Sequence, residues 1–246
     1  MAKNRRKPTL RVLVAILMLL VFSGFYFLLA PLVHEVGEGD VQVNATLPEA
    51  AQTQQSTVNK SSEYLILVNK NHSIKNYKPK DLKKLNAAVP GISPQFQRMR
   101  KVAANAFNDL TADAKRQGYT IKVTTGYRSY SYQKTLHDQY VKKDGQSGAE
   151  QYSAKPGYSE HQSGLAADVS SPCVNYNLVQ AYGTTHGGKW LAKNAHKYGF
   201  IIRYPNGKEK ITGYEYEPWH IRYVGKDAAK EIYDQKTTLE EYLGEV

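Results

Sequence analysis

From Val12 to Val33 the chain carries no charged side chain (VLVAILMLLVFSGFYFLLAPLV), and this run constrains where everything after it can fold. About 20 apolar residues in helical form cross the hydrocarbon core of a bilayer, so the run is long enough to span one. Lys3, Arg5, Arg6, Lys7 and Arg11 precede it, while Glu35, Glu38 and Asp40 follow it. Such a charge distribution orients the helix with residues 1–11 in the cytoplasm and the remainder outside. A cleaved signal peptide has a similar basic start, but its apolar part spans only about 7–15 residues and ends at a small-x-small site. No clean site of that kind follows Val33, so residues 12–33 are read as an uncleaved single-pass anchor.

Export decides what the net charge means. A formal charge of +11 attracts polyanions, which include nucleic acid, anionic lipid and acidic surface polymers. Outside the cytoplasm nucleic acid is excluded as a partner, and a carboxylate- and phosphate-rich surface fits best. The single cysteine, Cys173, permits no intramolecular disulfide and no thiolate zinc cluster, so any metal must be held by His and carboxylate. Cys173 itself reads as a small buried or half-buried residue. Residues 34–62 are rich in Gln, Thr, Ser, Ala, Glu and Asn and read as a flexible tether. The remaining residues, 63–246, form one folded domain, for which 41% hydrophobic residues over the chain supply a core.

Within that domain Tyr64–Val68 is a β-rich run ended by Asn69-Lys70-Asn71. A long amphipathic helix is predicted from Ser93 to Gln117, with Ser93 as N-cap, Pro94 at the first helical position and Gly118 past the end. Phe96, Met99, Ala103, Ala106, Phe107, Leu110 and Ala114 recur at helical spacing and mark its core face. Tyr119–Thr125 alternates as a strand, and a second helix covers Tyr132–Val141. Lys189–Tyr198 is helical and closed by Gly199. Strands follow at Phe200–Tyr204 and Tyr214–Tyr223, and a last helix at Asp227–Tyr233. Helices and short strands joined by tight turns predict an α+β domain with a central antiparallel sheet flanked by helices, preceded by the transmembrane helix.

Reactive side chains concentrate in two segments, Gly157-Tyr158-Ser159-Glu160-His161-Gln162-Ser163-Gly164-Leu165-Ala166-Ala167-Asp168 and Glu215-Tyr216-Glu217-Pro218-Trp219-His220. Two histidines and a carboxylate from separate segments, with a fourth position open, is the ligand count of a catalytic zinc. The chain has seven histidines, and His34, His72, His137, His186 and His196 read as ordinary surface or helical residues. His161 and His220 differ because acids accompany both and glycine, proline or an aromatic holds their backbone. Residue chemistry alone leaves the metal reading and the bland one level. It also leaves Glu215 and Glu217 as rival bases, since alternation along a strand puts both on one side.

His161-x6-Asp168 together with Glu217-Pro218-Trp219-His220 resembles the signature of the VanY-type D-alanyl-D-alanine carboxypeptidases and the related L,D-carboxypeptidases. Leu67-Val68-Asn69-Lys70, Gly126-Tyr127-Arg128-Ser129, Lys189-Trp190, Tyr198-Gly199-Phe200, Arg203-Tyr204-Pro205 and Ile221-Arg222-Tyr223-Val224-Gly225 look like that family in order and spacing. The likeness therefore runs from Tyr64 to Leu243. It implies a hedgehog/DD-peptidase-like fold, with Zn²⁺ held by His161, Asp168 and His220 and Glu217 as the acid–base residue. It also implies that Arg128, followed by Gln133, takes the free carboxylate of the substrate, with Ser159 and Tyr204 as secondary candidates for substrate contact. The implied activity is removal of C-terminal D-alanine from peptidoglycan stem peptides by a monomer at the outer face of a bacterial, Gram-positive membrane. D,D-carboxypeptidase action on the pentapeptide is preferred, and L,D action on the tetrapeptide is the alternative. A non-catalytic wall-binding module is less favoured, because the chain keeps Glu217 and all three ligands.

Overall fold

The computed structural model describes residues 62–246. The basic tail at 1–11, the anchor at 12–33 and the tether up to Ser61 lie outside the described residues. Among the described residues no helix is long and apolar enough to cross a membrane.

The domain is α+β. A small antiparallel pair, β1 (Leu82–Lys84) and β2 (Arg98–Arg100), precedes helix α1 (Lys101–Arg116). The main sheet has four strands, β3 (Lys122–Thr125), β4 (Ala166–Ser170), β5 (Phe200–Ile202) and β6 (His220–Tyr223), in the order β3-β4-β6-β5 with every pair antiparallel. Helices α2 (Tyr130–Tyr152), α3 (His186–Asn194), α4 (Glu209–Thr212), α5 (Lys226–Gln235) and α6 (Leu239–Leu243) complete the domain.

Period-2 alternation gives the sheet two different faces. Val123, Ala167, Val169, Ile221 and Tyr223 point into the main core, where they meet Phe107, Leu110 and Ala114 of α1 and Leu191 of α3. Asp168, His220 and Arg222 alternate with these and occupy the other face. Register then aligns them: Asp168 pairs with His220, Ala167 with Ile221, and Ala166 with Arg222. A second, smaller core, including Leu65, Ile201, Val224, Ala229, Ile232, Leu239 and Tyr242, packs α5 and α6 against the domain.

Several elements differ from the sequence expectations. The segment Tyr64–Val68 is not a strand: Arg222 Nη2 donates to the carbonyls of Tyr64 (3.1 Å) and Ile66 (2.6 Å), so a side chain takes the place of a neighbouring strand. The predicted helix from Ser93 begins only at Lys101. Pro94–Gln97 is a 3₁₀ turn, and Arg98–Arg100 is extended because it pairs with β1 and because the Arg100 N–H donates to the Gly164 carbonyl (2.8 Å). Helix α2 outruns its predicted end at Val141 and contains a break at Gly145, where φ is 72°. The helix expected at Lys189–Tyr198 starts at His186, capped by the Thr185 hydroxyl, and finishes as a 3₁₀ turn before Gly199 at φ +83°. Of Tyr214–Tyr223 only the last four residues are strand. Cys173 is exposed rather than buried: it sits in the turn Pro172–Val174 after β4, where Val174 packs on the core and Cys173 turns outward.

A buried ion network ties α6 to the site face of the sheet. Arg203 Nη1 and Nη2 donate to Glu240 Oε2 and Oε1 at 2.8 and 2.6 Å, and its Nε donates to Glu160 Oε1 at 2.7 Å. Arg222 Nη1 donates to the same Glu160 oxygen at 2.6 Å. Both guanidiniums are fully buried, at 0% exposure, so neither retains water as a partner. Removing one member of a buried pair leaves an uncompensated charge, which costs about 3–5 kcal/mol. Glu240→Ala is expected to lower the unfolding free energy by about that amount in urea denaturation. A loss below about 1 kcal/mol, the range of a surface ion pair, would show that α6 is not anchored through this contact.

Candidate metal centre and active site

Each of the three proposed ligands is delivered by a different local structure. His161 lies in the 3₁₀ turn Glu160–Ser163, all four residues of which are buried. Asp168 is on β4, and His220 opens β6 directly opposite it. Asp168 Oδ1 is 2.9 Å from His220 Nδ1, and its Oδ2 is 3.3 Å from His161 Nε2. One ligand atom from each residue lies within 4.8 Å of the others. The two imidazoles meet edge to face, 5.0 Å between centroids and 89° between planes.

The far nitrogen of each ring is also engaged. His161 Nδ1 lies 2.8 Å from the Gly126 carbonyl, an obligate acceptor, so it carries the proton and leaves Nε2 free for coordination. Two imidazole nitrogens and a carboxylate oxygen, beside an open cavity, form a donor set that fits a catalytic zinc. Burial works against ionisation of Asp168, but the two imidazoles outweigh it and hold the carboxyl well below its usual range. Burial lowers His161, against the pull of Asp168. Burial lowers His220 as well, but the carboxylates of Asp168 and Glu160 outweigh it and push that ring up to about 9. Asp168 and His161 therefore stand in the forms that bind metals, while His220 must give up a proton to do so.

A cavity of about 370 Å³ opens over the three residues. Arg128, Ser159, Tyr204 and Glu217 also line it, so seven of the eight residues singled out in the sequence converge on one space. Gln133 is the exception. It stands behind the wall, accepting from Arg128 Nη1 at 2.8 Å and donating to the Ala154 carbonyl at 2.7 Å, and so holds the guanidinium in place. Arg128 Nε is buried and has no partner among the described residues. Burial lowers the Arg128 pKa, with Asp168 and Glu217 opposing, yet a guanidinium stays charged. Tyr204 stacks obliquely on His220, 4.9 Å between centroids, and on Tyr214 at 4.6 Å.

The rival bases separate cleanly. Residues 214–219 are not a strand: the Glu217 N–H donates to the Tyr204 carbonyl and the His220 N–H back to Glu217, with Pro218 between. Glu215 is exposed, whereas Glu217 Oε2 is 3.8 Å from His220 Nδ1 and lines the cavity. Burial pushes Glu217 up to about 7, His220 pulling it down and the charges of Asp168 and Glu160 pushing it further up.

Tyr158, Tyr214 and Trp219 also line the cavity, and the sequence assigned them no role. Trp219 sits inside the Glu217–His220 motif and was visible there. Tyr214 stacks on Tyr204 in that wall, a tertiary contact that local sequence does not display.

The family model of D-alanyl-D-alanine carboxypeptidases named VanY matches residues 96–226. The chain belongs to the VanY family. The YodJ protein of Bacillus subtilis (strain 168), named a carboxypeptidase, is 46% identical over 197 residues, covering 77% of this chain and 70% of that one. Among solved structures, the LdcB LD-carboxypeptidase is 48% identical with a TM-score of 0.71, covering 75% of this chain and 87% of LdcB. A glutamate-to-alanine variant of the vancomycin-resistance D,D-pentapeptidase VanY, solved with Zn(II), is 34% identical with a TM-score of 0.61, covering 74% of this chain and 99% of that one.

In this VanY-family site Gly126 has a specific task. A Cβ there would lie 2.4 Å from the Arg98 carbonyl oxygen and 2.6 Å from that of Phe96, both backbone atoms. The strand end carrying the carbonyl that orients His161 would have to move. Gly126→Ala is expected to weaken zinc binding about 10- to 100-fold, the usual effect of losing the partner behind a ligating His. Competition with a chelator measures it, and unchanged affinity would refute the role of the Gly126 carbonyl.

Proposed function

We propose that the domain is a zinc carboxypeptidase that removes C-terminal D-alanine from peptidoglycan stem peptides, with His161, Asp168 and His220 as ligands and Glu217 as the acid–base residue. The observation that carries this reading is the placement of Glu217 and Arg128 in the wall of one cavity with the three ligands. Zn²⁺ held there supplies Lewis acidity, which polarises a carbonyl and acidifies water.

The chain's own groups supply the rest. Glu217 takes the proton that water releases on attacking the scissile carbonyl, then gives it to the amine nitrogen of departing D-alanine. A carboxyl raised to about 7 suits both duties, being basic enough to accept near neutral pH and acidic enough to donate. Arg128 spends Nη1 on Gln133, which leaves Nε and Nη2 for a two-point contact with the substrate's terminal carboxylate. That contact selects chain ends. Ser159 and Tyr204 shape the pocket for the residues beside the scissile bond.

Two bonds fit this machinery. The family description and the likeness to VanY support D,D cleavage of the pentapeptide. The greater likeness to LdcB, 48% against 34% identity, favours L,D cleavage of the tetrapeptide. Incubating the protein with each peptide and weighing the products separates them. Glu217→Ala is expected to lower kcat by about 10²- to 10⁴-fold on the preferred peptide while zinc content stays at one ion per chain. Turnover retained in that variant would remove Glu217 from the mechanism, and inertness of the zinc-loaded parent on both peptides would refute the activity.

We infer further that residues 12–33 anchor the enzyme, as a monomer, with its catalytic domain outside the cell membrane of a Gram-positive bacterium. The basic residues before the uncharged run and the acidic ones after it support this orientation. External protease is expected to digest the domain on intact protoplasts, and complete protection would place it inside.

A further inference from the structure

Glu160 precedes a proposed ligand in sequence, yet its side chain turns away from His161 to serve the other histidine. It is fully buried, and Oε2 lies 3.2 Å from His220 Nε2. Oε1 accepts from both Arg203 Nε (2.7 Å) and Arg222 Nη1 (2.6 Å). Both oxygens are thus committed, and the two guanidiniums favour the ionised form. A carboxylate held in this way accepts hydrogen bonds and donates none.

That fixes the far nitrogen of His220. Nδ1 faces a carboxylate too, Asp168 Oδ1 at 2.9 Å, so both nitrogens of the metal-free ring are engaged. With Asp168 given to zinc, Glu160 is the acceptor left to the ring, so Nε2 keeps the proton and the lone pair falls on Nδ1. Nδ1 is the atom beside Asp168 (2.9 Å) and Glu217 (3.8 Å), on the side where the ligand atoms gather. His161 is locked in the opposite sense, its Nδ1 against the Gly126 carbonyl and its Nε2 towards Asp168. One metal site therefore uses different nitrogens of its two imidazoles, and different acceptors impose the choice.

The charges around Glu160 balance without help from the ring. Glu160 and Glu240 face Arg203 and Arg222, two anions against two cations. Glu240 also accepts from Asn69 Nδ2 at 3.1 Å, so the acceptor behind His220 is braced from α6 and from the start of the domain. Alternation along β6 explains the geometry: His220 and Arg222 share a face, which allows one carboxylate to reach both.

We propose that Glu160 is a positioning residue for the metal, accepting the Nε2–H of His220 and so fixing the tautomer and ring orientation that present Nδ1 to zinc. This rests on the reading of His220 as a ligand.

The test uses the full chain, labelled with ¹⁵N-histidine and loaded with zinc, together with zinc titration against a competing chelator. In the parent protein His220, assigned by the loss of its signals in His220→Gln, is expected to carry its proton on Nε2, shifted downfield by the carboxylate. In Glu160→Gln that proton is expected to move upfield and zinc affinity to fall about 10- to 100-fold at a temperature where the variant is folded. A purely structural role would lower the melting temperature and leave both readouts in place. A proton on Nδ1 of zinc-loaded parent His220 overturns the proposal without a Glu160 variant, should Glu160→Gln not fold. Unchanged affinity and an unmoved N–H signal in a folded Glu160→Gln overturn it as well. Full zinc affinity in His220→Gln would instead refute the ligand assignment on which the proposal rests.

Discussion

Asp168 faces His220 across one antiparallel strand pair, and the rest of the site hangs on that register. Side chains alternate with a period of two, so a slip of one residue would turn His220 and Arg222 into the main core and Ile221 and Tyr223 out of it. The core prevents the slip. Val169 and Ile221 pack with Phe107 and Leu110 of α1, and burying side chains of this size contributes about 1.5–3 kcal/mol each. The apolar face of the sheet thereby holds the polar face in alignment.

The polar face is expensive to build. Four charges lie under the ligands with almost no contact with water, and each costs several kcal/mol to desolvate before pairing offsets it. Full pairing is achieved through shared oxygens and a bidentate contact, and no nitrogen or oxygen of Glu160, Arg203, Arg222 or Glu240 is left as a buried orphan among the described residues. Such a network resists rearrangement because moving one member unpairs the others. Its edge at Glu160 meets His220 in the cavity wall, so the rigidity of the network reaches the proposed metal site.

Much of this was readable from local pattern. The core face of α1 follows from apolar residues three and four apart, and Gly118 and Gly199 occur where a helix end needs a positive φ. Two short motifs hold His161, Asp168, His220 and Glu217, which the fold brings to one cavity. The errors have identifiable causes. Ser93-Pro94 has the chemistry of a helix start, but pairing with β1 draws Arg98–Arg100 into an extended chain. Tyr64–Val68 has strand composition, but its carbonyls are satisfied by an arginine from β6. Helix α6 went unseen although Thr238-Leu239-Glu240-Glu241 is a capping box, and the structure shows both of its reciprocal bonds.

Donor types, their spacing and the periodicities of the main elements were settled along the chain, because they depend on neighbours within a few residues. Choices between equivalent groups were settled only by folding. Glu217 lines the cavity and Glu215 faces solvent because a turn, not a strand, carries them. Gln133 becomes the support of Arg128 because α2 sets it behind the cavity wall. The far nitrogens of the two rings face a carbonyl 35 residues from His161 and a carboxylate 60 residues from His220. Hydrogen-bond direction depends on the partner, and tertiary contacts alone bring such partners together.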